Sequence, residues 1–131
     1  MMVTLALALA LDRSAEDRLL AGMLENGHSV LARAQTAAAL IEALRRVEPQ
    51  VVIVAAHRET LTAELIAACD DRGVRVIALA GGAQDRRHAA GLGLYEVVDA
   101  GASWAEIELL LGSGAVPLRV GGPRLGATDP P

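Results

Sequence analysis

The sequence repeats one pattern five times: an apolar segment, a turn, and a segment with the spacing of an amphipathic helix. The apolar segments are residues 3–11, 28–34, 51–56, 74–80 and 94–99. They are apolar throughout, as in VTLALALAL and VVIVAA, and do not alternate between polar and apolar residues. Strands covered by helices on both faces have this composition, whereas half-exposed strands alternate. The repeat therefore predicts an α/β fold with a mostly parallel, five-stranded sheet between two helix layers.

The connections and the first strand indicate how these layers are arranged. Right-handed crossovers give a doubly wound sheet, and five strands favour the flavodoxin-like order 2-1-3-4-5. Successive side chains of a strand point to opposite faces, and the first segment alternates leucine with alanine. The leucines are Leu5, Leu7, Leu9 and Leu11, and the alanines are Ala6, Ala8 and Ala10. We therefore expect one helix layer to pack closer to the sheet than the other.

Capping residues indicate where the helices begin and end. The predicted N-caps are Ser14, Thr36, either Thr60 or Thr62, and Ser103, which forms a capping box with Glu106. Gly27 is placed to end the first helix in a left-handed conformation, and Gly73 to end the third. The predicted core face of the first helix consists of Leu19, Leu20, Met23 and Leu24.

The two ends of the chain differ in composition from a membrane anchor or a leader. Segment 2–11 has no basic residue before it, and a bilayer span takes about 20 apolar residues. We interpret it as a buried strand and expect the protein to lie in the cytoplasm without a membrane span. From Gly112 onward the sequence is rich in Gly and Pro and has no periodicity. We therefore assign residues 1–112 to one domain and 113–131 to a linker or tail.

Charge and cysteine content exclude several classes of function. The net charge is −4, and no basic run is longer than two residues, so the chain has no footprint for DNA or RNA. Cys69 is the only cysteine, which rules out an internal disulfide and a cysteine-based zinc site. Cys69 lies in a helical apolar pattern, and we interpret it as a small buried hydrophobe.

In a doubly wound sheet, ligands bind at the carboxyl ends of the strands. The residues there are Asp12, the run Ala55-Ala56-His57, Gly81-Gly82 and Asp99. The turn after the first strand, LDRSAED, has no glycine, so neither a dinucleotide fingerprint nor a P-loop is present, and no flavin phosphate loop is recognisable. A magnesium site needs converging carboxylates, and the third strand supplies none. We therefore predict no cofactor, no metal and no catalytic residue, and interpret Gly81-Gly82 as a turn.

Over residues 3–111, the element order, length and loop positions resemble a response-regulator receiver domain. In that family an acidic pair follows the first strand, a phosphoacceptor Asp ends the third, Thr or Ser ends the fourth, and Lys ends the fifth. The resemblance places Asp12 at an acidic position, Ala55 at the phosphoacceptor, Ala80 at the Thr/Ser and Asp99 at the Lys. The segment GLGLYEVV resembles the family's approach to the fifth strand. An alanine has no carboxylate to phosphorylate, so the resemblance implies a degenerate site and a pseudo-receiver.

A narrower resemblance concerns the combination of such a domain with a Gly/Pro-rich linker. It is similar to the N-terminal domain of actinobacterial MinD/ParA-like ATPases of the CpaE/TadZ type, which act in Flp pilus assembly and septum-site determination. In those proteins a nucleotide-binding domain follows the linker. The resemblance implies that the partner is either a second copy of the chain or a ParA/MinD-type ATPase domain.

Two main hypotheses for function follow, and a third is weaker. The first is a non-catalytic regulatory and protein-interaction domain for localisation or dimerisation, and receivers often pair through the fourth helix, fifth strand and fifth helix. That face would hold Arg86, Arg87, Tyr95, Glu96 and Glu106. The second is a stand-alone atypical receiver that binds a small ligand at the strand ends, lined by Asp12, His57 and Gly81-Gly82. The third, a small flavodoxin-like enzyme, lacks every motif expected of it.

Overall fold

In the part of the chain that the structure describes, five strands alternate with five helices. A computed structural model describes residues 3–9, 13–94 and 96–113 of the 131. The elements are β1 Thr4–Ala8, α1 Arg13–Glu25, β2 Ser29–Arg33, α2 Ala37–Ala43, β3 Val51–Ala55, α3 Ala63–Arg72, β4 Arg75–Ala80, α4 Ala83–Gly91, β5 Val97–Asp99 and α5 Trp104–Ser113. Asp12, Tyr95 and residues 114–131, most of the predicted linker, lie outside the described residues.

The strands form one parallel sheet in the order β2-β1-β3-β4-β5, which confirms the predicted flavodoxin-like topology. The chain first moves from β1 to one neighbour, β2, and then crosses to the other, β3. The switch point therefore lies between β1 and β3, and their register pairs Ala8 with Val54. The carboxyl end of β3 lies at the centre of the edge where doubly wound sheets bind ligands.

The alternation of leucine and alanine in β1 separates two hydrophobic cores. Leu5, Leu7 and Leu9 pack in the core that includes side chains of α1 and α5. Ala6 and Ala8 pack in the core that includes side chains of α2, α3 and α4. All five of these side chains are buried, because both faces of the central strand are covered, as the continuous apolar pattern predicted.

Most of the predicted helix caps are present. Thr36 Oγ1 accepts from the Ala39 N–H and Thr62 Oγ1 from the Leu65 N–H, both at 3.1 Å, so Thr62 and not Thr60 caps α3. The Ser103 N–H donates to Glu106 Oε1 at 3.0 Å, as a capping box requires.

Two predictions for α1 were wrong. The helix begins at Arg13, so Ser14 lies within its first turn and is not the N-cap. Leu24 is 59% exposed, although we placed it in the core. The buried stripe of α1 contains Leu19 and Met23, four residues apart, and Leu24 lies about 100° further round the helix, on the solvent side.

Glycines end α1 and α3 in the same conformation. Gly27 has φ +80° and Gly73 has φ +68°, the left-handed region that residues with a Cβ rarely adopt. In each case the next residue donates its N–H five residues back: His28 to the Met23 carbonyl at 3.0 Å and Val74 to the Cys69 carbonyl at 2.8 Å. This bond satisfies a terminal carbonyl and directs the chain into the following strand.

Candidate functional site at the carboxyl edge of the sheet

Three positions singled out by the receiver resemblance are the last residues of their strands: Ala55 of β3, Ala80 of β4 and Asp99 of β5. The resemblance therefore placed three of its four positions at strand ends, although the apolar pattern had predicted a third strand that ends one residue later, at Ala56. Asp12, the fourth, lies outside the described residues, so its relation to the others stays a prediction.

Ala55 is a closed, apolar position. Its side chain is 7% exposed and packs in the core shared with α1 and α5. Its carbonyl accepts from Thr60 Oγ1 at 2.6 Å, and the next N–H, of Ala56, donates to the Leu79 carbonyl at 2.9 Å. Thr60 is fully buried, so this bond fixes the loop that follows β3. As an alanine, Ala55 itself supplies no acid or nucleophile at the strand end.

Ala80 and Asp99 are paired in register across β4 and β5 but differ in surroundings. Ala80 is fully buried in the core shared with α2, α3 and α4, the face opposite to that of Ala55. The side chain of Asp99 is 74% exposed, and its Oδ1 accepts from the Gly101 N–H at 2.7 Å. Asp99 therefore supports the turn before α5 and leaves a negative charge where the resemblance expects a lysine.

A groove lies beside these strand ends, between the β3–α3 loop and α4. Its volume is about 590 Å³, and its lining consists of Ala56, His57, Arg58, Gln84, Asp85, Arg87 and His88. Asp85 is its only acidic lining residue: Oδ2 accepts from the Gly81 N–H at 2.8 Å, and Oδ1 lies 3.3 Å from His57 Nδ1. His88 Nε2 donates to the Leu61 carbonyl at 2.7 Å. The groove is thus a polar site with two histidines held by neighbouring groups.

Only part of the small-ligand site expected from the sequence coincides with this groove. His57 lines it, whereas Asp12 lies outside the described residues. The Gly81 N–H is bonded to Asp85 and is not directed at a ligand. Sequence reasoning missed Arg58, Asp85 and His88 as lining residues. One signal was available, because basic residues occur both in the loop after β3 and in α4, the helix that follows β4. Since β3 and β4 are neighbours in the sheet, the loop and the helix lie on the same edge.

The predicted interaction face on α4, β5 and α5 is partly engaged in contacts within the chain. Arg75 binds Glu96 through two nitrogens, with Nε 2.8 Å from Oε1, and this hydrogen bond raises the pKa of Arg75 above its ordinary value. Glu106 belongs to the capping box of α5. Arg86 is exposed, with Nη2 4.0 Å from Asp99 Oδ2.

The other two residues predicted on that face are placed differently. Arg87 is exposed but lines the groove, and Tyr95 lies outside the described residues. The use of the face by a partner stays a prediction, and Arg86 is an exposed cation on it.

A second polar cluster, which sequence reasoning missed, lies at the opposite edge of the sheet. His28 is 3% exposed, and its Nδ1 accepts from the Val3 N–H at 3.0 Å, so Nε2 carries the proton and donates to Glu108 Oε1 at 2.9 Å. Trp104 Nε1 donates to the same oxygen at 2.7 Å. These two bonds lower the pKa of Glu108. The cluster joins β1, the start of β2 and α5, and its role is structural.

Two possible chemistries have little support among residues 3–9, 13–94 and 96–113. No group of three or more His, Cys, Asp or Glu residues there is arranged to hold a metal ion. Cys69 is fully buried, and this burial raises the pKa of its thiol to about 11, as expected for a packing residue and not a nucleophile.

None of the helices described in these ranges is both long and apolar enough to cross a bilayer.

Comparison with known proteins identifies the fold. No protein-family model matches the sequence, and no curated protein matches it. Among solved structures, the signal receiver domain of the putative response regulator NarL from Mycobacterium tuberculosis is similar, with TM-score 0.70, 16% identity, and coverage of 85% of this chain and 94% of that one. A response regulator from Thermotoga maritima has TM-score 0.69, 13% identity, and coverage of 86% and 97%.

A third similar structure is the signal receiver domain of a modulated diguanylate cyclase from Desulfovibrio desulfuricans, with TM-score 0.71, 10% identity, and coverage of 86% and 92%. At these identities the likeness is one of fold. The chain has the fold of response-regulator receiver domains. Because one fold supports many functions, its function has to be argued from the residues at the strand ends.

Proposed function

We propose that this chain is a non-catalytic pseudo-receiver of the cytoplasm that regulates or localises a protein partner through its surface. The observation that carries the proposal is Ala55, a buried methyl group at the end of β3. Phosphorylation of a receiver requires a carboxylate at that place, and the hydroxyl and ammonium groups expected nearby are replaced by Ala80 and Asp99. Asp99 would repel a phosphoryl group that a lysine would stabilise.

Incubation of the full chain with acetyl phosphate and Mg²⁺, followed by intact-mass spectrometry, tests the loss of phosphorylation. We expect no phosphoryl adduct, because neither Ala55 nor Ala80 offers an acceptor. A receiver domain with an intact phosphoacceptor, treated in parallel, serves as the positive control. An adduct that is removed by Asp12→Asn or by Asp99→Asn would contradict the proposal.

For the partner, we propose a MinD/ParA-like ATPase of the CpaE/TadZ type that is linked to this domain through the Gly/Pro-rich residues 113–131. The resemblance of a receiver-like domain followed by a Gly/Pro-rich linker supports this assignment. The coding sequence downstream of Pro131 is the direct test. A Walker-type nucleotide-binding domain in the same frame supports a linked ATPase, and its absence would leave self-association as the proposed mode.

A further inference from the structure

We propose that the groove between the β3–α3 loop and α4 binds a small anion that carries phosphate or carboxylate groups. The proposal does not depend on the loss of phosphorylation at Ala55, because the groove lies on the α3–α4 side, away from the core in which Ala55 packs. It adds a ligand to a domain otherwise proposed to act through a protein surface.

The charge of the groove is opposite to that of the chain. The whole sequence has a net charge of −4, but two arginines, Arg58 and Arg87, line the groove against a single carboxylate, Asp85. Neither arginine has an ion-pair or hydrogen-bond partner within the part of the chain that the structure describes. Two unpaired guanidinium groups at one concave site favour an anionic ligand.

Asp85 offsets only one of the two positive charges, and its oxygens contact groups other than the two arginines. Oδ2 accepts from the Gly81 N–H, and Oδ1 faces His57 Nδ1. Its role is to hold the start of α4 and to position an imidazole on the wall of the groove. His88 is held in the same way by its bond to the Leu61 carbonyl. Two oriented imidazoles therefore stand beside two arginines that remain able to reach a ligand.

The lining also indicates the chemical class of the anion. Guanidinium groups bind phosphate and carboxylate through paired, planar hydrogen bonds. The lining residues include no Phe, Tyr or Trp, so the groove lacks the large aromatic rings that most often stack on a nucleobase. A volume of about 590 Å³ lies within the range of about 300–1,000 Å³ that is usual for sites of small molecules and exceeds the needs of a lone ion. A compact molecule with two or more anionic groups fits these properties.

Titration of the full chain with inorganic pyrophosphate and, separately, with citrate tests the proposal, at constant ionic strength adjusted with chloride. Amide chemical shifts in ¹H–¹⁵N spectra would locate binding, and calorimetry would measure its strength. We expect saturable shifts at residues 57–58 and 84–88. Arg58→Gln and Arg87→Gln should each weaken binding about tenfold, the loss expected for one charge-assisted hydrogen bond.

Arg86→Gln is the matched control, because Arg86 is adjacent to Arg87 on α4, is exposed, and does not line the groove. It removes the same charge and should leave the affinity within about twofold of wild type, because Arg86 does not line the groove and an exposed charge that does not contact the ligand is largely screened. If Arg86→Gln and Arg87→Gln weaken ligand binding equally, the loss of affinity reflects net charge alone, and the proposal is overturned. Non-saturable shifts, or shifts spread over the whole surface, would overturn it as well.

Discussion

The Glu108 carboxylate is expected to make the amino edge of the sheet sensitive to acid. Hydrogen bonds from His28 and Trp104 to its carboxylate lower its pKa below the ordinary value of about 4.5. Because the folded-state pKa is the lower one, the carboxylate stabilises the fold at neutral pH. This contribution is lost as the pH falls below about 4.5 and through the lowered pKa. We expect the free energy of unfolding in urea to decrease over this acid range, and to decrease less in Glu108→Gln.

Glu25→Gln is a suitable comparison, because Glu25 is exposed and makes none of these bonds. It should retain the wild-type dependence of stability on pH. Identical pH profiles for wild type and Glu108→Gln would show that the carboxylate is not responsible.

Individual residues also show which parts of the site were predictable. The receiver resemblance placed Ala55, Ala80 and Asp99, and the apolar segments 51–56, 74–80 and 94–99 end at these positions or one residue later, because composition is a local property of the sequence. The groove could not be placed, because Arg58 and Arg87 come from segments far apart in the sequence. Their meeting depends on the rotation of α4 about its axis, and the weak apolar pattern of α4 did not fix that rotation.

At the level of elements, the contact between α1 and α5 depends on one small residue. A Cβ added at Gly22 would lie 2.5 Å from Trp104 Cβ and 2.8 Å from Trp104 Cγ, well inside van der Waals contact. The two helices approach this closely because Gly22 has no side chain. We expect Gly22→Ala to destabilise the protein by about 1–3 kcal/mol, as overpacking of a filled core does, measured by urea unfolding.

Gly112→Ala is the matched control for this substitution. Gly112 also lies in a helix, α5, and a Cβ there would meet nothing within 4 Å. Alanine is the better helix former by about 0.5–1 kcal/mol in a helix interior, so Gly112→Ala should be neutral or mildly stabilising. A neutral Gly22→Ala would mean that α1 and α5 move apart at little cost.

Element types were more predictable than their ends. Thr36 and Thr62 marked helix starts because capping is a local interaction between neighbours in sequence. The fifth strand was expected over 94–99, and the structure describes it over Val97–Asp99, with Tyr95 outside the described residues. Among the described strands it pairs only with β4, so its length depends on how many residues of β4 lie beside it. The sequence of the fifth segment carries no information about that number.

For the molecule as a whole, the face formed by α4, β5 and α5 carries exposed charges of both signs. A two-fold interface brings each patch against its own copy, so it must carry groups that complement one another. Arg86 is exposed on α4 and Glu106 is exposed on α5, which offers cations and carboxylates on the same face. The overall charge of −4 opposes association only weakly at physiological salt, where charges are screened beyond about 8 Å.

If this face mediates self-association, Arg86→Glu should shift the full chain towards monomer, because it replaces an attraction across the two-fold axis with a repulsion. We expect a dimer whose dissociation constant rises at least tenfold in the variant and also rises with salt, measured by light scattering over a concentration series. Arg45→Glu makes the same change of charge in the turn that follows α2, outside this face, and should dimerise like wild type. A wild-type chain that stays monomeric at high concentration would exclude self-association and leave a different protein as the partner.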